Sequence, residues 1–226
     1  MAELIPLFPL SHVLLPGMPL PLHIFEQRYR DLVADLPEPP LSRSFGVVAL
    51  RSGTEALPPA LGDSGVPDVE VVGTLAEILE IEIKPDGAAD LLAVGSRRFR
   101  VVSLVTDGTA YLRGQVEWLD ESDGALSAAA QVRARELLEV YDAVLRRLAG
   151  RATGGELPDD ANQLSYQIAA RLPLPPSERQ ALLADDTTAE RLARLARLLR
   201  RELALLRGTR SIAVSPAVLR LGTTVN

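Results

Sequence analysis

Cysteine is absent from this sequence of 226 residues, lysine occurs once and histidine twice, and aromatic residues make up only 4%. Without cysteine there is no disulfide, no thiolate nucleophile and no cysteine-ligated metal. The one lysine, Lys84, lies between Ile83 and Pro85. It therefore does not end a Gly-rich loop of the Gly-Lys-Ser/Thr type, whose lysine would hold nucleotide β/γ-phosphates. His12 and His23 fall on either side of a proline-rich segment, and neither belongs to a His-Glu-x-x-His pair. No calcium-binding acidic loop and no Gly-x-Ser-x-Gly elbow occurs, so no metal, no cofactor and no catalytic residue is expected. Uninterrupted apolar runs of about 20 residues are missing, which argues against a membrane span. The N-terminus has no basic region ahead of its apolar residues and is broken by prolines, unlike a signal peptide. A soluble, cytoplasmic protein is the expectation.

Charge is present but unevenly divided. Residues 1–120 carry 9 Arg/Lys against 17 Asp/Glu, a net of −8, and residues 121–226 carry 15 against 13, a net of +2; together they give the overall −6. An acidic first half repels a phosphate backbone, so nucleic acid is not an expected partner. An apolar share of 47% and this length suffice for one large domain or two small ones.

Five prolines fall between Pro6 and Pro21 in an apolar background. Proline fixes φ and lacks an N–H, so this part reads as extended chain at sheet edges, with Pro16-Gly17 as a turn between two strands. From Phe25 onward, Phe25, Tyr29, Leu32, Val33 and Leu36 fall at helical spacing, and Pro37 ends the pattern. Ser44–Leu50, Val69–Ile83, Leu91–Val94, Phe99–Val105 and Ala110–Leu119 bring the strand count to six or seven. Lys84-Pro85-Asp86-Gly87 reads as a turn. The Gly/Pro-rich stretch Arg51–Pro67 reads as a long loop.

The second half reads as helices. Ser127–Ala149 carries Leu137, Leu138, Tyr141, Val144, Leu145 and Leu148 at three-to-four spacing, with Gly150 placed as a C-terminal cap. Asp160–Leu172 is a shorter helix stopped by Pro173. Ser177 with Gln180 and Thr187 with Glu190 both fit a capping box. A last helix, about Ala189–Arg207, puts Leu192, Leu195, Leu199, Leu203 and Leu206 on one face. That stripe reads as packing within its own bundle, with an oligomer seam as the second reading. The polar stretch Asp120–Gly124 separates the halves.

The N-terminal motif resembles the substrate-binding domain of Lon-type proteases. The resemblance rests on Leu7-Phe8-Pro9-Leu10, Val13-Leu14-Leu15-Pro16-Gly17, Leu20-Pro21-Leu22-His23-Ile24-Phe25-Glu26 and Arg28-Tyr29-Arg30. It continues through Phe45-Gly46-Val47-Val48, Val72-Gly73-Thr74-Leu75-Ala76 and Gly95-Ser96-Arg97-Arg98-Phe99-Arg100, and more loosely through Leu164-Ser165-Tyr166 and Leu172-Pro173-Leu174. It spans roughly residues 4–205. It implies an α+β protein: a β-rich pseudobarrel of the PUA-like type over 1–120, a helical subdomain over 121–208 and a C-terminal tail over 209–226. It also implies a stand-alone member of that family. The ATPase and serine–lysine peptidase portions of Lon proteases have no counterpart in these residues.

The function that follows is a non-catalytic module for unfolded or extended polypeptide or a partner protein, linked to proteolysis or protein quality control, with oligomerisation open. Leu15, Pro16, Met18 and Leu20 are the candidate contact residues, because a turn places apolar side chains where there is little interior to bury them. Glu26 and Arg28 have two readings: a polar clamp on a peptide end, or an ion pair that fixes the exit of the helix. Arg97-Arg98-Phe99-Arg100 reads as a strand with Phe99 in the core and Arg98 and Arg100 on the opposite face. The alternative function is a small-ligand protein or enzyme on a PUA-like barrel, with the Arg51–Pro67 loop over its pocket.

Overall fold

Among the described residues six strands form before residue 120, some alternating apolar with polar residues and others, such as Ser44–Ala49, almost wholly apolar, and three-to-four spacing produces most of the helices after them. The computed structural model describes residues 2–37, 43–51, 67–105, 108–150 and 155–209. They fall into two compact units, 1–120 and 121–226.

In the first unit the strands are β1 (Glu3–Leu10), β2 (Pro19–Ile24), β3 (Ser44–Ala49), β4 (Val72–Ile83), β5 (Ala89–Val105) and β6 (Leu112–Trp118), with helix α1 (Gln27–Asp35) after β2. The sheet order is β2-β5-β4-β3-β1-β6, and a further β5–β6 pairing closes β1, β3, β4, β5 and β6 into a barrel. Among these strands only β1 and β3 pair in parallel, with Leu7 opposite Gly46. Closure depends on the 17 residues of β5. One edge of β5 meets β4, while the other is shared between β2 (Ala89–Val94) and β6 (Phe99–Val105). The two strands read separately as Leu91–Val94 and Phe99–Val105 are thus one strand that runs through Gly95 and Ser96.

Two apolar clusters fill this unit. Ile5, Leu7, Val48, Val69, Phe99, Leu112 and Val116 form one. In the other, Leu14, Leu20, Ile24, Phe45 and Leu91 meet Tyr29, Leu32 and Val33 of α1 and Leu36 beyond it. The Phe8 and Tyr29 rings stack there with centroids 4.0 Å apart. Phe25 does not join them. It precedes α1 and is 59% exposed, which corrects its place in the helical pattern with Tyr29: the chain is still extended at Glu26 (φ −70, ψ 136), so helical spacing has not begun.

Phe99 is buried, and its neighbour Arg98, on the opposite face of β5, is also buried at 2% exposure. The Lys84–Gly87 turn closes the β4–β5 hairpin, with Gly87 at φ 80 and its N–H donating to the Lys84 carbonyl at 2.9 Å.

The second unit contains α2 (Ala128–Ala149), α3 (Ala161–Arg171), α4 (Pro176–Ala184) and α5 (Thr188–Thr209). Helix α2 starts under the Ser127 hydroxyl, which accepts from the Ala130 N–H, and stops at Gly150 with φ 64. The capping box before α5 is formed: Glu190 N–H donates to Thr187 Oγ1 at 3.2 Å, and Thr187 N–H to Glu190 Oε2 at 3.3 Å. The box expected of Ser177 and Gln180 is not. Helix α4 is capped by Pro175 and begins at Pro176, whose fixed φ suits the first helical position, so Ser177 is already inside the helix. All five leucines of the α5 stripe are buried within this unit.

Candidate functional site

The site is organised by the turn between β1 and β2. Met18 N–H donates to the Leu15 carbonyl at 3.1 Å, and Gly17 sits at φ 77, as a Pro-Gly turn of type II requires. The turn is fastened from below. Thr74 Oγ1 donates to the Leu14 carbonyl at 2.7 Å, Gly17 N–H donates to the Gly95 carbonyl at 2.8 Å, and Gly95 N–H donates to the Met18 carbonyl at 2.9 Å. Leu15 is 0% exposed and Leu20 3%, which corrects the expectation that the turn holds both outward. Fastening draws the turn against β5, and the inward positions of β2 fill the core with their side chains. Pro16 and Met18 are half-buried, at the β2 end of the turn.

Glu26 and Arg28 meet each other: Arg28 Nη2 lies 2.8 Å from Glu26 Oε2, both side chains are largely buried, and the guanidinium carbon is 4.6 Å from the Tyr29 ring centroid. Burial, partly offset by Arg28, raises the Tyr29 phenol above its ordinary range.

What the fold assembles is the outer face of β2, β5 and β4. Residues directly opposite in antiparallel strands share a face. Pairing aligns Pro19 with Val94 and Val94 with Glu77, aligns Pro21 with Leu92 and Leu92 with Glu80, and aligns His23 with Asp90 and Asp90 with Glu82. Pro19 and Pro21 are exposed, and Leu92 and Val94 half-buried. These four make an apolar strip two rows long. Leu79, the extra residue where β4 bulges between Ile78 and Glu80, is also exposed.

Below the strip lies a charged row. His23 Nδ1 donates to Asp90 Oδ1 at 2.6 Å, while Lys84 Nζ lies 3.1 Å from Asp90 and 2.9 Å from Glu82. Hydrogen bonds from His23 and then Lys84 hold the Asp90 carboxyl below the usual carboxylate range. The Phe25 ring, 6.0 Å from that of His23, extends this end of the face.

Leu92, Val94, Pro19 and Pro21 were not singled out from the sequence. The alternation of Pro19, Pro21 and His23 with Leu20, Leu22 and Ile24 carried the signal, but Leu91–Val94 is continuously apolar and so conceals which side chains face out. In the helical unit, one polar cluster is internal. Arg191 is 0% exposed, donates to the Leu182 carbonyl, Asn162 Oδ1, Ser165 Oγ and Glu121 Oε2, and lies 4.1 Å from the Tyr166 ring centroid. Its donors are engaged in holding α3, α4 and α5 together.

The chain matches the model of the "ATP-dependent protease La (LON) substrate-binding domain" over residues 4–201. Lon protease 2 of Myxococcus xanthus is 28% identical over 216 residues, which are 91% of this chain and 24% of that protein. Escherichia coli K12 Lon protease is 28% identical over 208 residues, 89% of this chain and 25% of that protein. The chain thus spans about a quarter of the length of these curated relatives. Among solved structures, a Lon N-terminal domain protein from Xanthomonas campestris is 31% identical with a TM-score of 0.61, covering 85% of this chain and 96% of that one. The N-terminal domain of a Mycobacterium avium complex Lon protease has the same fold at 17% identity and a TM-score of 0.58. A closed barrel of five strands with β2 on its flank, a helical unit after it, and a family match over nearly the whole chain lead to one assignment: the protein belongs to the Lon substrate-binding domain family.

Proposed function

We propose that this chain recognises extended or unfolded polypeptide on the outer face of β2, β5 and β4, without chemistry of its own. The observation that carries this reading is the strip of Pro19, Pro21, Leu92 and Val94, apolar side chains held open on a rigid sheet. Prolines and β-branched residues fixed in strands lose little further entropy when a ligand covers them. Phe25 extends the strip at one end, while Met18 packs with Leu20 against the core. Leu15 and Leu20 support it from inside. The internal pairing of Glu26 with Arg28 favours their architectural role over a clamp. The relatives named Lon protease fit a place in proteolysis or protein quality control, where a recognition surface and a cutting site are separate.

The test is fluorescence anisotropy with a labelled, permanently reduced and alkylated polypeptide. The double variant Pro21→Ser/Leu92→Ser is expected to lose about 10-fold or more in affinity, since truncating central apolar contacts costs more than 1 kcal/mol. Circular dichroism would confirm that the fold is retained. Equal binding by wild type and variant would remove the strip from consideration.

A further inference from the structure

We infer that the segments this site takes are those in which apolar residues alternate with arginine or lysine; the inference rests on the polypeptide-binding reading above. Along β4 the strip is bordered by carboxylates, and along β2 by the prolines. Across β5 from the prolines, each apolar row ends on a carboxylate of β4: Val94 on Glu77 and Leu92 on Glu80. Neither carboxylate has an ion pair or hydrogen bond among the described residues, whereas Glu82 and Asp90 in the next row share Lys84. The face therefore offers apolar surface along β2 and β5 and two uncompensated negative charges along β4. The barrel half carries a net −8. That wider field attracts cationic segments and repels acidic ones.

The geometry also says how such a segment lies. Adding a strand to the β2 edge is disfavoured, because Pro19 and Pro21 have no N–H to donate there. A segment running along β5 instead can lean alternate side chains toward the two borders. Side chains two apart in an extended chain repeat at about 6.6 Å, the same repeat that separates Leu92 from Val94. One set then rests on Pro19, Pro21, Leu92 and Val94, and the other reaches Glu77 and Glu80.

Three labelled eight-residue peptides test this, each alternating leucine with arginine, glutamine or glutamate. In wild type the arginine peptide is expected to bind about 3- to 10-fold tighter than the glutamine peptide, the range two exposed ion pairs give, and the glutamate peptide weakest. That advantage should shrink at about 0.5 M salt and vanish in Glu77→Gln/Glu80→Gln. Equal binding of arginine and glutamine peptides, both weakened by Leu92→Ser/Val94→Ser, would overturn the charge preference and leave polypeptide binding standing. An arginine preference that survives Glu77→Gln/Glu80→Gln would overturn the assignment to those carboxylates. Binding of none of the three would overturn both readings.

Discussion

Gly95 and Leu15 approach so closely that a Cβ on residue 95 would stand 2.4 Å from the Leu15 carbonyl oxygen. That oxygen is backbone, fixed within the turn that accepts the Met18 N–H, so it cannot swing aside as a side chain could. Gly95→Ala is expected to destabilise the protein by about 1–3 kcal/mol, the usual cost of overpacking. Gly17→Ala meets nothing within 4 Å, yet its φ of 77 costs about 1 kcal/mol for a residue with a Cβ. Urea denaturation of both variants would separate the two mechanisms; a Gly95→Ala protein as stable as wild type would mean the turn is not held there.

Phe25 and Tyr29 are both aromatic and four residues apart, but they contribute differently. Tyr29→Ala removes the stack on Phe8 from a buried cluster and should cost about 3–5 kcal/mol. Phe25→Ser touches an exposed ring and should change stability by no more than about 0.5 kcal/mol. Thermal melts would check both, and a large loss from Phe25→Ser would contradict its position outside the core.

Arg191→Leu leaves Asn162, Ser165 and Glu121 without a shared donor inside the helical unit. Breaking a buried charge network on one side costs about 3–5 kcal/mol. Arg191→Lys should recover little, because a single ammonium cannot reproduce three separately directed nitrogens. Far-ultraviolet circular dichroism during chemical denaturation would report the loss of helix.

Tyr141, 3% exposed, has its phenol pushed up to about 12 by burial first, then by Glu202 and Asp142. The unfolded chain ionises this group near pH 10. A folded-state value above the unfolded one means its contribution is complete below about pH 10 and is lost as pH rises toward 12. Stability measured from pH 9 to 12 should fall more steeply for wild type than for Tyr141→Phe. Parallel slopes would show that this phenol does not govern the alkaline limb.

The sequence by itself determined the class of the fold, its division near residue 120 and most of the helix boundaries. Those are written in local signals: Ser127 and Gly150 bracket α2, Thr187 with Glu190 opens α5, and the leucine stripe of α5 fixes its buried face. The family motif was likewise legible, since Pro16-Gly17 and the alternation of β2 follow from backbone constraints of proline and glycine. Partners distant in sequence were decided only by tertiary structure. Composition marks Leu20, Leu22, Leu92 and Val94 as apolar alike, but the pairing of β2 with β5, some 70 residues apart, turns the first two inward and the last two toward the outer face. The same pairing brings Glu77 and Glu80 beside that strip. Strand period sets two faces for each strand, and only the register between strands chooses which face meets water.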